Sequence, residues 1–178
     1  MPKKEDLRVI KTKTGIRQAF LELCQKKPVS KITVTELAQA AMINKGTFYL
    51  HYNDIYALYL DVAKETCLGL LNLIDDYSLF LSAPDEFIRR WYTANHDHNL
   101  SEVFPHYTPV ELGFQLPVFV VNEFKSRIYA ANPIEQSLEN EIKLDCIACD
   151  LMVAGFPHYL RDPEDTIRTM AGIIERSF

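Results

Sequence analysis

Two groupings of side chains in this 178-residue chain could carry chemistry. The first holds possible metal ligands and nucleophiles: His96-Asp97-His98 with His106 nearby, and Cys146-Ile147-Ala148-Cys149. Imidazole, carboxylate and thiolate all ligate metals. On a helix, however, residues two apart point about 200° away from each other, so His96 and His98 would not chelate together. Cys146 and Cys149, three apart, share a helix face and could bind metal or respond to oxidant. They lie in an apolar run, which reads as two small buried hydrophobes. No nucleophile–base pair and no closed ligand set emerges, so the expectation is no enzyme, no metal and no cofactor. The second grouping is Asn44-Lys45-Gly46-Thr47 with Tyr49 and His51, a cluster of short donors, one cation and one aromatic. Its chemistry is nucleic-acid recognition: the first residues of a helix meet base edges in a major groove about 12 Å wide while their neighbours hold phosphates.

That chemistry requires a helix presented by a second helix, and the surrounding residues supply both. Leu37, Ala38 and Ala41 form the inner face of a first short helix over 33–41, opened by the capping box Thr33-Val34-Thr35-Glu36. Ile43 plugs a turn, and Phe48 with Tyr52 face inward from a second helix over 44–51. A preceding helix over 12–25 buries Ile16, Ala19, Phe20 and Leu23. The charge agrees with this arrangement. The whole chain carries −5, yet residues 1–52 hold ten Lys/Arg against four Asp/Glu, a formal +6, and the remainder carries −11. A structural alternative is a three-helix protein-binding module whose basic residues are only solvated.

Residues 32–52, with Ile32-Thr33-Val34, Glu36-Leu37-Ala38 and Lys45-Gly46-Thr47-Phe48-Tyr49-Leu50-His51-Tyr52, closely resemble the TetR family of bacterial transcriptional regulators. The resemblance covers about residues 8–60. It implies an all-α fold: an N-terminal three-helix helix-turn-helix DNA-binding unit, residues 1–53, joined to a helical ligand-binding and dimerisation bundle, residues 54–178. It also implies that Thr33, Thr35, Tyr49, His51 and Tyr52 sit near phosphates, with Asn44, Lys45, Gly46 and Thr47 at the groove. Two positions depart from the family pattern. Met42 stands where the turn often has Gly, and a left-handed backbone there costs on the order of 1 kcal/mol, which packing would have to offset. Ile55 stands where the family commonly has a phosphate-holding Lys, and Asp54 beside it is tolerable near DNA if it serves as a helix cap.

The acidic remainder reads as helices over 54–76, 83–98, 108–130, 133–159 and 163–177. Three of these starts repeat one signature, a capping side chain, then Pro, then an acid two residues later: Thr108-Pro109-Val110-Glu111, Asn132-Pro133-Ile134-Glu135 and Asp162-Pro163-Glu164-Asp165. Pro117 is expected to kink its helix. The 54–76 helix places Ile55, Leu58, Tyr59, Val62, Thr66, Leu70 and Leu73 on one stripe. Trp91, Tyr92, Tyr107 and Phe114 are candidates to line a pocket for an unknown small-molecule inducer, the kind of ligand the resemblance implies, although aromatics equally build cores. The 133–159 helix is apolar nearly all round from Ile142 to Phe156, and the last helix adds Ile167, Met170, Ala171, Ile174 and Phe178. Together they predict a twofold homodimer. The function expected is therefore a sequence-specific regulator, a repressor released by ligand, on double-stranded DNA carrying a near-palindromic operator. The alternative is a TetR-like interaction protein acting through a protein partner. No apolar run approaches the length of a membrane span, and the first residues lack a secretion signal, so the expected location is cytoplasmic with no membrane partner.

Overall fold

A computed structural model of the chain describes residues 7–97, 115–154 and 162–178. Its regular elements are all helical: α1 (Leu7–Cys24), a 3₁₀ turn (Val29–Lys31), α2 (Val34–Ala40), α3 (Lys45–Tyr49), α4 (Ile55–Asn72), α5 (Leu79–Ser82), α6 (Pro84–Asp97), α7 (Gln115–Ala131), α8 (Leu138–Ala154) and α9 (Pro163–Ser177). The all-α class expected from the sequence is the class observed. Among the described residues no helix is long and apolar enough to cross a membrane. The chain divides into two compact units within α4, between Glu65 and Thr66.

In the first unit α1, α2, α3 and the start of α4 close around Ile16, Phe20, Leu37, Phe48, Leu58 and Tyr59, all fully buried. The inward residues expected of α1 are buried, and Cys24 joins them. On α4 the stripe begins as expected with Ile55, Leu58, Tyr59 and Val62, then continues through Ala63, Cys67 and Leu71. Thr66 and Leu70 are half-buried, and Leu73 lies beyond the last turn and is exposed. Steps of four residues turn the stripe slightly at each repeat, so over four turns it leaves the face that a short window predicts.

The second unit is built on an aromatic centre. Phe124 of α7 lies 5.5 Å from Trp91, 6.2 Å from Phe80, 6.3 Å from Phe87 and 6.4 Å from Tyr77, centroid to centroid and all edge to face. Trp91 donates its indole N–H to the Leu151 carbonyl at 3.2 Å, which satisfies the one polar atom it brings inside.

Several helix starts come out differently from their sequence signatures. Asp162-Pro163 behaves as expected, its carboxylate accepting from the Glu164 and Asp165 amides with Pro163 opening α9. Asn132-Pro133 does not open a helix. Asn132 closes α7, its amide bonding to Ile128 O, and its buried side chain donates to the Ile128 and Tyr77 carbonyls at 3.0 and 2.9 Å. Pro133 cannot continue the helix and so marks its end. The next helix waits for Ser137, whose hydroxyl accepts from the Asn140 amide. Pro117 does not fall mid-helix as expected: it is the third residue of α7, where the missing N–H has no partner inside the helix. Thr108-Pro109 lies outside the described residues.

The cysteine expectation is overturned. Cys146 and Cys149 are exposed, while Leu144, Ile147, Ala148 and Leu151 form the buried stripe of α8. A helix apolar on several sides offers the chain a choice of face, and the face that meets the neighbouring helices is covered whatever its side-chain sizes, taking in Ala148 and leaving Ile142 outside with the cysteines. The last helix also differs. Ile167, Met170, Ala171 and Ile174 are buried in the chain's own core, where α9 packs on α5, α6 and α8, so they are not free for a second copy. Phe178 is part-exposed and packs edge-on to Phe80.

Candidate nucleic-acid interface

The candidate interface is assembled from α2, a four-residue turn and α3. Thr33 caps α2, its hydroxyl accepting from the Glu36 amide at 3.3 Å. Only half of the expected capping box forms, since Glu36 turns to pair with Lys27 instead of reaching back. The turn closes α2 with the bond pattern of a Schellman motif: Ile43 N donates to Ala38 O at 2.9 Å and Met42 N to Gln39 O at 3.1 Å. Met42 takes the left-handed conformation, φ 54°. Its side chain is 92% exposed, so packing does not offset the strain as the sequence reading required. The two backbone bonds and the burial around Phe48 hold it. Met42→Gly is therefore expected to stabilise the protein by about 1 kcal/mol, read as a rise in melting temperature of about 2–4 °C. An unchanged or lower melting temperature would show that the turn carries no strain.

Asn44 is the N-cap of α3, its Oδ1 accepting from the Thr47 amide at 2.7 Å and the Thr47 hydroxyl at 3.0 Å. This fixes where the short α3 begins and which way its outer face points. Lys45, Gly46, Tyr49 and Leu50 lie exposed, Thr47 and His51 half-buried, and Phe48 is sealed inside with its ring 5.9 Å from that of Tyr52. Thr35 is exposed on α2. A Cβ at Gly46 would sit 3.2 Å from Asn44 Oδ1, so a side chain there would press on the cap, and glycine leaves bare backbone at the surface. Leu50, 82% exposed, belongs to this surface and was missed by the sequence reading, because apolar character signals burial and only the fold reveals an exposed exception.

Tyr52 is buried, and its hydroxyl donates to Asp61 Oδ2 at 2.8 Å. Arg17 of α1 donates to the same oxygen at 2.8 Å and pairs with Glu65 at 2.9 Å. Asp61 thus ties α1 and the segment after α3 to α4, a link that no local motif in the sequence announces. Burial pushes the Asp61 carboxyl up, but the guanidinium and the hydroxyl outweigh it and hold it below the usual carboxylate range. Burial, with Asp61 beside it, pushes the Tyr52 hydroxyl up to about 12. A carboxyl depressed in the folded state contributes stability that is present above its unfolded pKa of about 4 and lost as pH falls through the folded value. Melting curves between pH 3 and 7 are expected to show that acid-side loss, and Asp61→Asn to flatten it. An identical acid limb in the variant would remove Asp61 from this role.

Asp54 caps α4, its carboxylate accepting from the Ala57 amide at 2.7 Å, and Ile55 is buried. The departure at Ile55 and the Asp54 beside it therefore both serve the fold of the unit. Of the residues considered for a ligand, Trp91 is inside the second unit's core and Tyr92 is half-buried. Tyr107 and Phe114 lie outside the described residues, as do His98 and His106. Among the described residues no group of three or more His, Cys, Asp or Glu is placed to hold a metal ion.

Over 86 residues the chain is 29% identical to an uncharacterised HTH-type transcriptional regulator, YxbF, of Bacillus subtilis strain 168. The chain is similar to a helix-turn-helix regulator. The match takes in 48% of this chain and 22% of YxbF, so the chain spans about a fifth of the length of that curated relative. It supports placing the chain with transcriptional regulators of the helix-turn-helix kind. No family model matches.

Proposed function

We propose that this chain is a sequence-specific DNA-binding regulator of the TetR kind, a repressor whose helix-turn-helix enters the major groove of an operator. The observation that carries this reading is the outer face of α3: Lys45, Gly46 and Tyr49 exposed on a helix start locked by Asn44. A capped start gives the base-reading residues a single orientation, and the bare backbone at Gly46 allows close approach to a groove wall. The +6 charge of residues 1–52 supplies attraction to phosphates, and the −11 remainder disfavours contact elsewhere. Thr33, Thr35, Tyr49 and His51 flank that face as phosphate partners. Tyr52 acts from inside by holding the segment against Asp61.

In this proposal the protein works as a homodimer, supported by Leu138 and Ile142, which remain exposed on α8 at 78% and 54%. Twofold symmetry would set two recognition helices about 34–36 Å apart and call for a near-palindromic site. A small molecule bound among the helices of the second unit would release the DNA, with a coupling of about 1–3 kcal/mol between the two sites. The test is fluorescence anisotropy with a duplex from upstream of the protein's own gene and a random duplex of equal length, each across a salt series. Tighter binding to the upstream duplex, falling steeply with salt, is expected. Equal affinity for the two duplexes, or affinity indifferent to salt, would refute the proposal.

A further inference from the structure

We infer that Leu50 reads thymine in the operator, its apolar side chain packing on C5-methyl groups in the major groove. The inference rests on the DNA-binding reading above and adds a base-specific contact to the face of α3. Leu50 is the C-cap of α3 yet keeps helical backbone, φ −70° and ψ −19°, and its amide donates to Gly46 O at 3.2 Å. At about 100° per residue, the positions two before and two after Phe48 both lie about 160° from it. Those positions are Gly46 and Leu50. Since Phe48 is fully buried, the pair sits at the middle of the outward face, and Leu50 is 82% exposed there.

The flanking residues are less free. Tyr49 sets its ring edge-on to Phe48 at 5.4 Å, and the Thr47 hydroxyl is bonded to Asn44 Oδ1. A leucine neither donates nor accepts a hydrogen bond, so it cannot hold phosphate or pair with the polar edges of guanine, adenine or cytosine. Set against a G·C pair it would strip water from donors and acceptors without replacing it. The thymine C5-methyl is the apolar feature among the base edges of the major groove, and it distinguishes T·A from C·G. Charge favours DNA over an apolar protein surface as the occupant. From Ile43 through Asn53 the chain carries Lys45 and no acid, within a segment of net +6. A cation beside an exposed apolar side chain suits a polyanion that also presents methyl groups.

The test measures anisotropy of the full chain with the duplex from upstream of its own gene and with the same duplex carrying deoxyuridine for thymidine, which removes the C5-methyl and leaves base pairing intact. The uridine duplex is expected to bind more weakly, by about four-fold for each methyl lost from a contact. Leu50→Ala should weaken binding to the thymidine duplex to a similar extent and no longer distinguish the two duplexes. Its melting temperature should stay within about 2 °C of the parent, because the side chain is exposed. Single deoxyuridines should confine the loss to a short run of positions repeated in each half-site; a small loss spread evenly over all thymines would mark altered duplex shape and overturn the contact. Equal affinity of the parent chain for both duplexes, with its preference over a random duplex kept, would overturn the role of Leu50 and leave the DNA-binding reading standing. So would a Leu50→Ala chain as sensitive to uridine as the parent, since the methyl would then meet another residue. A parent chain with no preference over random DNA would refute the DNA-binding reading itself, and the inference would fall with it.

Discussion

Lys45→Ala is expected to weaken binding to the specific duplex by about 5- to 150-fold, the equivalent of about 1–3 kcal/mol for one well-placed base contact. Lys45 is exposed at the first position of α3. Its removal leaves the Asn44 cap and the Phe48 core in place, so the melting temperature should stay within about 2 °C of the parent. The salt dependence distinguishes its partner. A lysine on a base lowers specific binding while sparing the random duplex, whereas a lysine on phosphate weakens both and lowers the salt slope by about 1. Combining it with Thr47→Ala removes a hydroxyl bonded to Asn44 while the amide bond to the same oxygen remains. Undiminished DNA affinity in the double variant would exclude α3 as the reading element. If the regulatory output also survived, the alternative of an interaction protein acting through a partner would be favoured.

Phe124→Ala is expected to cost about 3–5 kcal/mol, the range for removing a fully buried aromatic side chain. For a chain of this size that corresponds to a fall in melting temperature of roughly 6–20 °C. Phe124 is 1% exposed, and four aromatic rings of α6 and the preceding segment rest on it. The cavity would be walled by rigid rings that cannot collapse into it, which argues for the upper part of the range. Phe124→Leu, keeping most of the volume, should lose less than half as much. Equal losses for Leu and Ala would mean that edge-to-face ring geometry, not filled volume, holds this centre. A loss below about 1 kcal/mol would mean that the core repacks freely.

Much of the first unit was legible in the sequence because its determinants are local. Thr33 and Asn44 cap the helices that follow them within three residues, and Ile16, Phe20, Leu37 and Phe48 announce their burial by helical spacing. The left-handed turn at Met42 was likewise readable from its place in the motif. Features that depend on distant partners were not readable. Tyr52 and Arg17 converge on Asp61 from segments 9 and 44 residues away, and no short-range pattern records such a meeting. Asn132-Pro133 has the same residue order as Asp162-Pro163, yet it ends a helix, because Tyr77 supplies the carbonyl that draws the asparagine inside. On α8 the sequence by itself determined that apolar surface exceeds what one face can hide. Only the tertiary structure decided which face the chain covers, since burial goes to whichever side meets a neighbouring helix. That choice took Leu144, Ile147 and Leu151 inside and left Cys146 and Cys149 in solvent.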